Sequence, residues 1–141
     1  MEFFDALVRY EIALWSAVDQ ELRRSGPTSL AQLHTLRVLE RHGGDARVQD
    51  LSDDIGVTVG AASKIADRLE RDGLAARGPN PADRRSSLIM LTSDGRQALA
   101  CAMEVCVSAV SKAVGAESVE SVTATLQRLQ ARLDALRAGP A

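Results

Sequence analysis

The segment from Thr58 to Thr92 constrains the fold more than any other part of the chain. It starts with Thr58, a good helix N-cap, and continues in a helical pattern that stops at Gly73. Two short extended stretches follow, 74–77 and 87–91, and the sequence GPNPAD between them forbids a helix through its prolines and glycine. The segment therefore predicts a capped helix followed by a β-hairpin.

The residues before this segment predict a second short helix joined to it by a tight turn. Residues 48–55 form an apolar-polar helical pattern that Gly56 closes as a left-handed cap. Helices at 48–55 and 58–71 around such a turn have the spacing of a helix-turn-helix. Further upstream, Ser29 with Gln32 three residues later is a capping-box pattern, which predicts another helix there.

Both ends of the chain predict long helices with broad apolar faces. From Phe3 to Arg24 there is no Gly or Pro, and two apolar stripes run side by side. Toward the C-terminus, apolar residues alternate steps of three and four at Val119, Val122, Leu126, Leu129, Leu133 and Leu136. One small domain is not expected to cover so much apolar surface, so the two ends predict homodimerisation.

Composition restricts the class of protein further. With 141 residues and 45% hydrophobic content, the chain is expected to form one compact unit. It has 17 basic and 19 acidic residues, which excludes a uniform polycation, while residues 58–96 carry a local surplus of basic residues. No apolar run long enough to span a membrane and no signal peptide is recognisable, so we expect a cytoplasmic protein without membrane contact.

Side chains in the capped helix and the hairpin suggest contacts with DNA. The helix carries small and polar residues at the positions that reach base edges and phosphates in a recognition helix: Gly60, Ala61, Ala62, Ser63, Lys64 and Arg68. Arg84 and Arg85 lie at the hairpin bend, where a guanidinium can enter the minor groove or bind phosphate. Asp83 is expected to orient a neighbouring arginine by a salt bridge. Together, helix and hairpin favour DNA binding over a merely solvated surface.

On these residues the chain resembles the MarR family of winged helix-turn-helix transcriptional regulators. The resemblance is carried by SLAQLHTL, GVTVGAASKIADRLERDGLAAR and NPADRRSSLIMLTSDGR, and it covers essentially the whole chain. It implies a mainly α fold with a small β-hairpin wing. The implied single unit 1–141 has an N-terminal dimerisation helix (1–26), a winged helix-turn-helix DNA-binding domain (29–92) and C-terminal dimerisation helices (93–138).

The resemblance also implies how DNA is bound. A homodimer would place two recognition helices in successive major grooves of a pseudo-palindromic operator and its wings in the flanking minor grooves, acting as a repressor. The residues that the family motif assigns to DNA are Ser63, Lys64, Arg68, Asp83 and Arg85. Arg77 and Arg84 are two further candidates, which the motif matches less closely. Ala61 and Ala62 depart from the common pattern, in which hydroxyl residues often occur, so the bases read stay open.

Two forms of control remain open from the sequence. Family members often respond to small aromatic or phenolic ligands, and Trp15 and His34 are the candidate contacts, with Tyr10 and His42 as weaker ones. Each of these side chains is also typical of a core or helix-end residue. The alternative is a redox-responsive regulator that acts through Cys101 and its copy across a dimer.

An enzyme is not expected from this sequence. Only two histidines occur, and neither belongs to a metal-binding or catalytic-triad pattern. Cys101 and Cys106 lack metal-ligand spacing, and a mutual disulfide is unfavourable at their separation on one helix. The sequence therefore predicts no catalytic residues, no metal and no cofactor.

Overall fold

The computed structural model describes residues 1–115 and 118–138. Within these residues the chain forms six helices and one two-stranded antiparallel sheet. In chain order the elements are α1 (Glu2–Ser25), α2 (Leu30–Arg41), α3 (Val48–Ile55), α4 (Val59–Arg71), β1 (Ala75–Pro79), β2 (Ser87–Leu91), α5 (Ser93–Val114) and α6 (Val119–Ala138). The predicted mainly α fold with a small β-hairpin is confirmed.

Side-chain caps fix where the helices of the central region begin. The Ser29 hydroxyl accepts from the Gln32 amide at 3.2 Å, and the Gln32 side chain accepts from the Ser29 amide at 2.9 Å, which completes the predicted capping box of α2. Thr58 caps α4 by accepting from the Ala61 amide. These bonds satisfy amides that have no partner within the helix.

Two glycines in the left-handed conformation end the helices of the helix-turn-helix. Gly56 follows α3 with a φ of +74°, and Gly73 follows α4 with a φ of +74°. Non-glycine residues rarely adopt this conformation, so the chain turns sharply at both positions. The Ser52 hydroxyl donates to the Val57 carbonyl at 2.7 Å and secures the first turn.

The hairpin differs from its prediction at the end of the first strand. The sequence pattern predicts Gly78 and Pro79 in the loop, but β1 continues to Pro79, which pairs with Ser87. A proline is tolerated there because it lies at the last pairing position of an edge strand. On the other side, the Ile89 amide donates to the Ala46 carbonyl at 2.7 Å, which attaches β2 to the segment before α3.

The core lies where α2, α3 and α4 meet the sheet and α5. Its largest fully buried side chains are Leu33, Leu36, Leu39, Leu51, Leu69, Ile89, Val38 and Thr35. Gly95, in the first turn of α5, lies at the edge of this core. It is so close to the Leu74 carbonyl oxygen that an added Cβ would overlap with that oxygen. This contact sets how α5 leaves the winged region.

The terminal helices keep much apolar surface exposed. α1 packs mainly against α5, and its Val18 and Leu22 are buried. By contrast, Phe3 is 69% exposed, Ile12 is 60% exposed and Leu136 of α6 is 78% exposed. The regular apolar pattern of α6 is therefore a helical face that the rest of the described chain leaves largely uncovered.

α5 is the most apolar helix among those described. By length and composition alone it could cross a membrane, with a mean hydropathy of 1.3 over its most apolar window. Buried helices in the cores of soluble proteins can be equally long and equally apolar. Here Leu99, Ala102 and Ala109 are buried, and α5 contacts α1 and α2.

Candidate nucleic-acid interface and effector cavity

α4 has a buried face and an exposed polar face. Ala62, Ala66 and Leu69 recur at steps of three and four and are buried, whereas Lys64 and Arg68 are exposed. The burial of Ala62 corrects the prediction that groups it with the residues near DNA. A fully buried methyl group packs in the core and cannot contact a base.

Ser63 is half-buried and Ala61 is half-buried, so both lie at the border between the two faces of α4. Gly60 is exposed, and an added Cβ would meet nothing within 4 Å. The exposed face of α4 thus combines a glycine near its N-terminus with cations farther along. That combination suits close approach to a nucleic-acid groove.

The wing loop, residues 80–86, is shaped by short polar contacts. Asp83 accepts from the Arg85 amide at 3.0 Å through its side chain, and its carbonyl accepts from the Ser86 amide at 3.0 Å. The expected salt bridge from Asp83 to a neighbouring arginine does not occur in the described residues. Because the backbone bond forms within a tight turn, Asp83 fixes the loop and leaves the adjacent guanidinium groups free.

Asn80 is a second loop-forming residue, and the sequence-based prediction missed it. Its side chain is buried, donates to the Ser86 hydroxyl at 2.8 Å and accepts from the Ala82 amide at 3.0 Å. The Asn-Pro dipeptide at this position is a turn signal that points to such a role. Asn80 holds the base of the wing loop together.

The cations predicted to bind DNA divide into two groups. Lys64, Arg68, Arg84 and Arg85 have no carboxylate within 4.0 Å in the described parts of the chain. All four are exposed. Their charges are consequently available to an external anion such as phosphate.

Arg77 differs from these four cations because it is paired within the chain. Its guanidinium donates to Asp67 and lies 3.5 Å from the Glu70 carboxylate. Both carboxylates belong to α4, whereas Arg77 lies on β1. The ion pairs attach the wing to α4 and neutralise the charge of Arg77.

The two predicted ligand residues, Trp15 and His34, line the same cavity. This cavity, here named the proximal lobe, has a volume of about 260 Å³ and lies between α1, α2 and α5. It is lined by Glu11, Leu14, Trp15, Val18, Leu30, Leu33, His34, Arg37, Cys106 and Val110. The weaker candidates lie elsewhere, Tyr10 in a neighbouring cavity and His42 beside Asp54 at 3.0 Å.

The proximal lobe contains one cation and a neutral imidazole. Burial lowers the pKa of His34, and the positive charges of Arg37 and Arg41 lower it further, against a smaller opposing effect of Asp54. Burial likewise raises the pKa of the Cys106 thiol. Arg37 forms no ion pair with a described residue, so the lobe offers an apolar wall with one available positive charge.

The cysteines and acidic groups indicate no further reactive centre. Both cysteines are free; Cys101 is exposed on α5, while Cys106 is half-buried. No cluster of three or more His, Cys, Asp or Glu residues is placed to hold a metal ion in residues 1–115 and 118–138. The described chain thus offers an anion-binding surface and an apolar cavity.

Comparison with known proteins identifies the family. Residues 28–87 match the MarR family profile. The chain is 31% identical to YxaD, an uncharacterised HTH-type transcriptional regulator of Bacillus subtilis, over 97 residues that cover 66% of this chain and 67% of YxaD. The chain belongs to the MarR family. Because this is a family of transcriptional regulators, membership agrees with the expectation that the chain is not an enzyme.

Alignments with two other Bacillus subtilis relatives are shorter and span 42% and 48% of those proteins. The chain thus matches about half the length of each. Over nearly its whole length, this chain also resembles solved structures. It is 22% identical to a mutant of Escherichia coli MarR in complex with operator DNA, with a TM-score of 0.80 and 94% of each chain covered.

The repressor CouR is similar in two bound states. In complex with a 23-mer DNA duplex it gives a TM-score of 0.80 at 23% identity, covering 91% of this chain and 89% of CouR. CouR from Rhodococcus jostii RHA1 bound to p-coumaroyl-CoA gives a TM-score of 0.77 at 22% identity, covering 89% and 87%. These similarities confirm the winged helix-turn-helix fold of this chain.

Proposed function

We propose that this MarR-family protein is a cytoplasmic repressor that binds a pseudo-palindromic operator as a homodimer. The observation that carries the proposal is that Lys64 and Arg68 on α4, and Arg84 and Arg85 at the wing tip, are exposed and form no ion pair with a described residue. Operator DNA bound to E. coli MarR and duplex DNA bound to CouR support the same role for this fold.

Within this proposal, α4 is the recognition helix and enters the major groove. Ser63, Lys64 and Arg68 contact base edges and phosphates, since they lie on or beside its exposed face. Arg84 and Arg85 bind the minor groove or its phosphates from the wing. Asp83 shapes the wing loop, and Arg77 holds the wing against α4.

The homodimer is proposed from the uncovered apolar faces of the chain ends. Residues 1–26 and 93–138 would form the dimerisation region, and residues 29–92 the DNA-binding domain. The exposed large side chains of α1 and α6 would be buried between two copies. Two-fold symmetry would then place the two copies of α4 in successive major grooves.

The two lysines of the chain provide a matched test of DNA binding. The duplex is first selected from a random pool by the wild-type protein. Lys64→Gln on α4 is then expected to weaken binding at least about tenfold, because a charged hydrogen bond contributes about 1.5–3 kcal/mol. Lys112→Gln removes the other lysine, exposed on α5 far along the chain from α4, and is expected to bind as wild type. Equal affinity of both variants would overturn the assignment of α4.

We further propose that a small aromatic carboxylic acid binds the proximal lobe and releases the operator. Arg37 supplies the positive charge, and Trp15 with the neutral His34 supplies aromatic contact. The complex of CouR with p-coumaroyl-CoA supports a ligand of aromatic character. A ligand that binds better to the form that does not bind DNA would shift the protein away from the operator.

A panel of aromatic acids tests this control. A true effector is expected both to raise the melting temperature and to release the operator. Arg37→Gln should remove both effects, whereas Arg23→Gln should keep them, because Arg23 pairs with Asp19 outside the lobe. Operator release that survives Arg37→Gln would exclude this site.

One observation supports the alternative that the protein is a redox-responsive regulator. The Cys101 thiol is exposed, which an oxidisable cysteine requires. We expect Cys101→Ser to abolish any peroxide sensitivity of operator binding if this alternative holds. Sensitivity that persists in Cys101→Ser would eliminate it.

A further inference from the structure

We propose that Asp19 and Gln32 are positioning residues for operator binding, because they form a polar joint that sets the orientation of α4 relative to α1. The joint, here named the α2 joint, lies at the N-terminus of α2 and consists of Asp19, Leu30, Gln32 and Asp72. The inference rests on the proposed function, in which α1 belongs to the dimerisation region and α4 reads DNA. It adds the contacts that connect these two helices.

Asp19 forms the half of the α2 joint that belongs to α1. Its Oδ1 atom accepts from the Leu30 amide at 2.8 Å, and its Oδ2 atom accepts from the Arg23 side chain at 2.6 Å. Amides in the first turn of a helix have no partner within that helix, and the helix dipole favours a carboxylate beside them. Arg23 and the Leu30 amide lower the pKa of Asp19, so both hydrogen bonds are made by a charged group at neutral pH.

Gln32 forms the half of the α2 joint that reaches α4. Its side chain is only 8% exposed, and its Oε1 atom accepts from the Ser29 amide at 2.9 Å. Its Nε2 atom donates to the Asp72 carboxylate at 3.1 Å, 40 residues farther along the chain. The cap bond thus holds the oxygen of the Gln32 side chain and directs its nitrogen to Asp72.

Asp72 ends α4 at a position where helix stability alone does not favour it. It is the C-cap residue of α4, and the helix dipole disfavours a carboxylate at that end. The bond from Gln32 gives this carboxylate a tertiary partner. If α4 moved away, the buried Gln32 nitrogen would lose its acceptor, which costs more than the bond itself contributes.

The two bonds of the α2 joint act in series, from α1 to α2 and from α2 to α4. In the proposed dimer, the orientation of α4 relative to α1 therefore determines how the two copies of α4 face the DNA. One base pair inserted between the half-sites rotates one half-site against the other by about 34–36°. Binding to such a duplex requires α4 to reorient, and this reorientation breaks a bond of the joint.

The affinity for two duplexes tests the inference. One is the duplex selected by the wild-type protein, and the other has one base pair inserted at its centre. Asp19→Ala and Gln32→Met are each expected to reduce the preference for the selected spacing about three- to tenfold, because the variants have no bond to break. An equal loss of affinity on both duplexes would show a merely structural role and would overturn the proposal, as would a wild-type protein without any spacing preference.

The chain offers a matched control for each variant. Glu21→Ala also removes a carboxylate of α1 that pairs with an arginine of the same helix, Arg24 at 3.0 Å. Gln49→Met also removes a glutamine that donates to an aspartate, Asp53 at 2.9 Å, but both residues belong to α3. Both controls should keep the wild-type spacing preference. An equal reduction in the controls would overturn the assignment to the α2 joint.

Asp72 separates the bond to α4 from the cap of α2, which Gln32→Met also disturbs. Asp72 is exposed, so its replacement is also informative if Gln32→Met fails to fold. Asp72→Ala should reduce the spacing preference, whereas Asp72→Asn should keep it, because asparagine retains an oxygen that accepts from Gln32. The same spacing preference in Asp72→Ala and Asp72→Asn would contradict the proposal.

A measurement without DNA distinguishes failure of this inference from failure of the proposed function. Arg9→Cys on α1 and Arg71→Cys on α4 carry spin labels at exposed positions, in a chain with Cys101→Ser and Cys106→Ser that is diluted with unlabelled protein. The distribution of distances between the labels should broaden in the joint variants and stay narrow in the controls. An unchanged distribution would overturn the inference even if DNA is bound. A broadened distribution in a protein that binds no DNA would refute the proposed function and leave the α2 joint intact.

Discussion

At the scale of single residues, Arg77 is paired with carboxylates of α4 whereas Arg85 forms no ion pair with a described residue, although both belong to the hairpin. Arg85→Gln is expected to weaken operator binding and to reduce the slope of log affinity against log salt by about one per chain, because a phosphate contact is lost. Arg77→Gln should weaken binding without this change of slope, since Asp67 and Glu70 already neutralise Arg77. Titrations at several salt concentrations check both. The assignment fails if the two slopes change equally.

His34 gives a prediction for the pH dependence of stability. Its pKa is lowered in the folded chain, so the unfolded chain binds more protons as the pH falls through the ordinary value of 6.5. Its contribution to the free energy of unfolding is full above pH 6.5 and is lost below it. His34→Gln should flatten the wild-type decline in urea-unfolding free energy as the pH falls below 6.5. The pKa values of Asp19 and Asp50 are also lowered, but their protonation reduces stability only below about pH 4. It therefore does not overlap with the titration of His34. An unchanged decline in the variant would contradict the burial of His34.

The residues that sequence reasoning placed wrongly share a physical cause. Ala62 is small enough for either face of a helix, and only its packing against the core decides which face it occupies. The Asp83 carboxylate could pair with a neighbouring arginine side chain or accept from a nearby backbone amide. In the folded loop it accepts from the Arg85 amide. Composition and spacing do not contain either piece of information.

At the scale of elements, two glycines provide opposite predictions. Gly95→Ala should destabilise the fold by about 2 kcal/mol or more, because the added methyl overlaps the Leu74 carbonyl and overpacked sites must shift. Gly60→Ala should stabilise α4 by about 0.5–1 kcal/mol, since nothing lies within 4 Å and alanine favours the helix. Chemical denaturation measures both. An unchanged free energy of unfolding in Gly95→Ala would contradict the close packing of α5 against Leu74.

The helix ends around the helix-turn-helix were the part of the fold that the sequence predicted best. Thr58, Gly56 and Gly73 act locally, through a cap bond or a left-handed backbone, so their effect can be predicted without tertiary contacts. The end of β1 was missed because Pro79 suggests a loop unless the strand is known to lie at an edge. Whether β1 is an edge strand depends on which strands pair with it, and the local sequence does not show this pairing.

At the scale of the whole molecule, the uncovered face of α6 predicts the effect of one charge. Leu133→Glu is expected to convert the proposed dimer to a monomer and to reduce operator affinity at least about tenfold, because a carboxylate would be buried in the proposed apolar interface. Gln127→Glu introduces the same charge at an exposed polar position of α6 and should leave the dimer intact. Sedimentation with DNA-binding titration checks both. A dimeric Leu133→Glu would show that this face does not form the interface.

The cavity is the feature that the sequence could indicate least. Trp15 and His34 were suggested by resemblance to a family, whereas their meeting with Arg37 and Cys106 depends on how α1, α2 and α5 pack. Helical periodicity indicates which face of each helix is apolar. It does not indicate where two such faces leave space, because that depends on the angles and distances between the helices.

Two copies of this chain are proposed to read DNA with two-fold symmetry. Footprinting of the wild-type protein on the DNA upstream of its own gene tests binding, symmetry and spacing together. We expect a protected pseudo-palindrome whose half-site centres lie about one helical turn, roughly 34–36 Å, apart. Protection without dyad symmetry, or no protection at concentrations where the protein is dimeric, would contradict the claim.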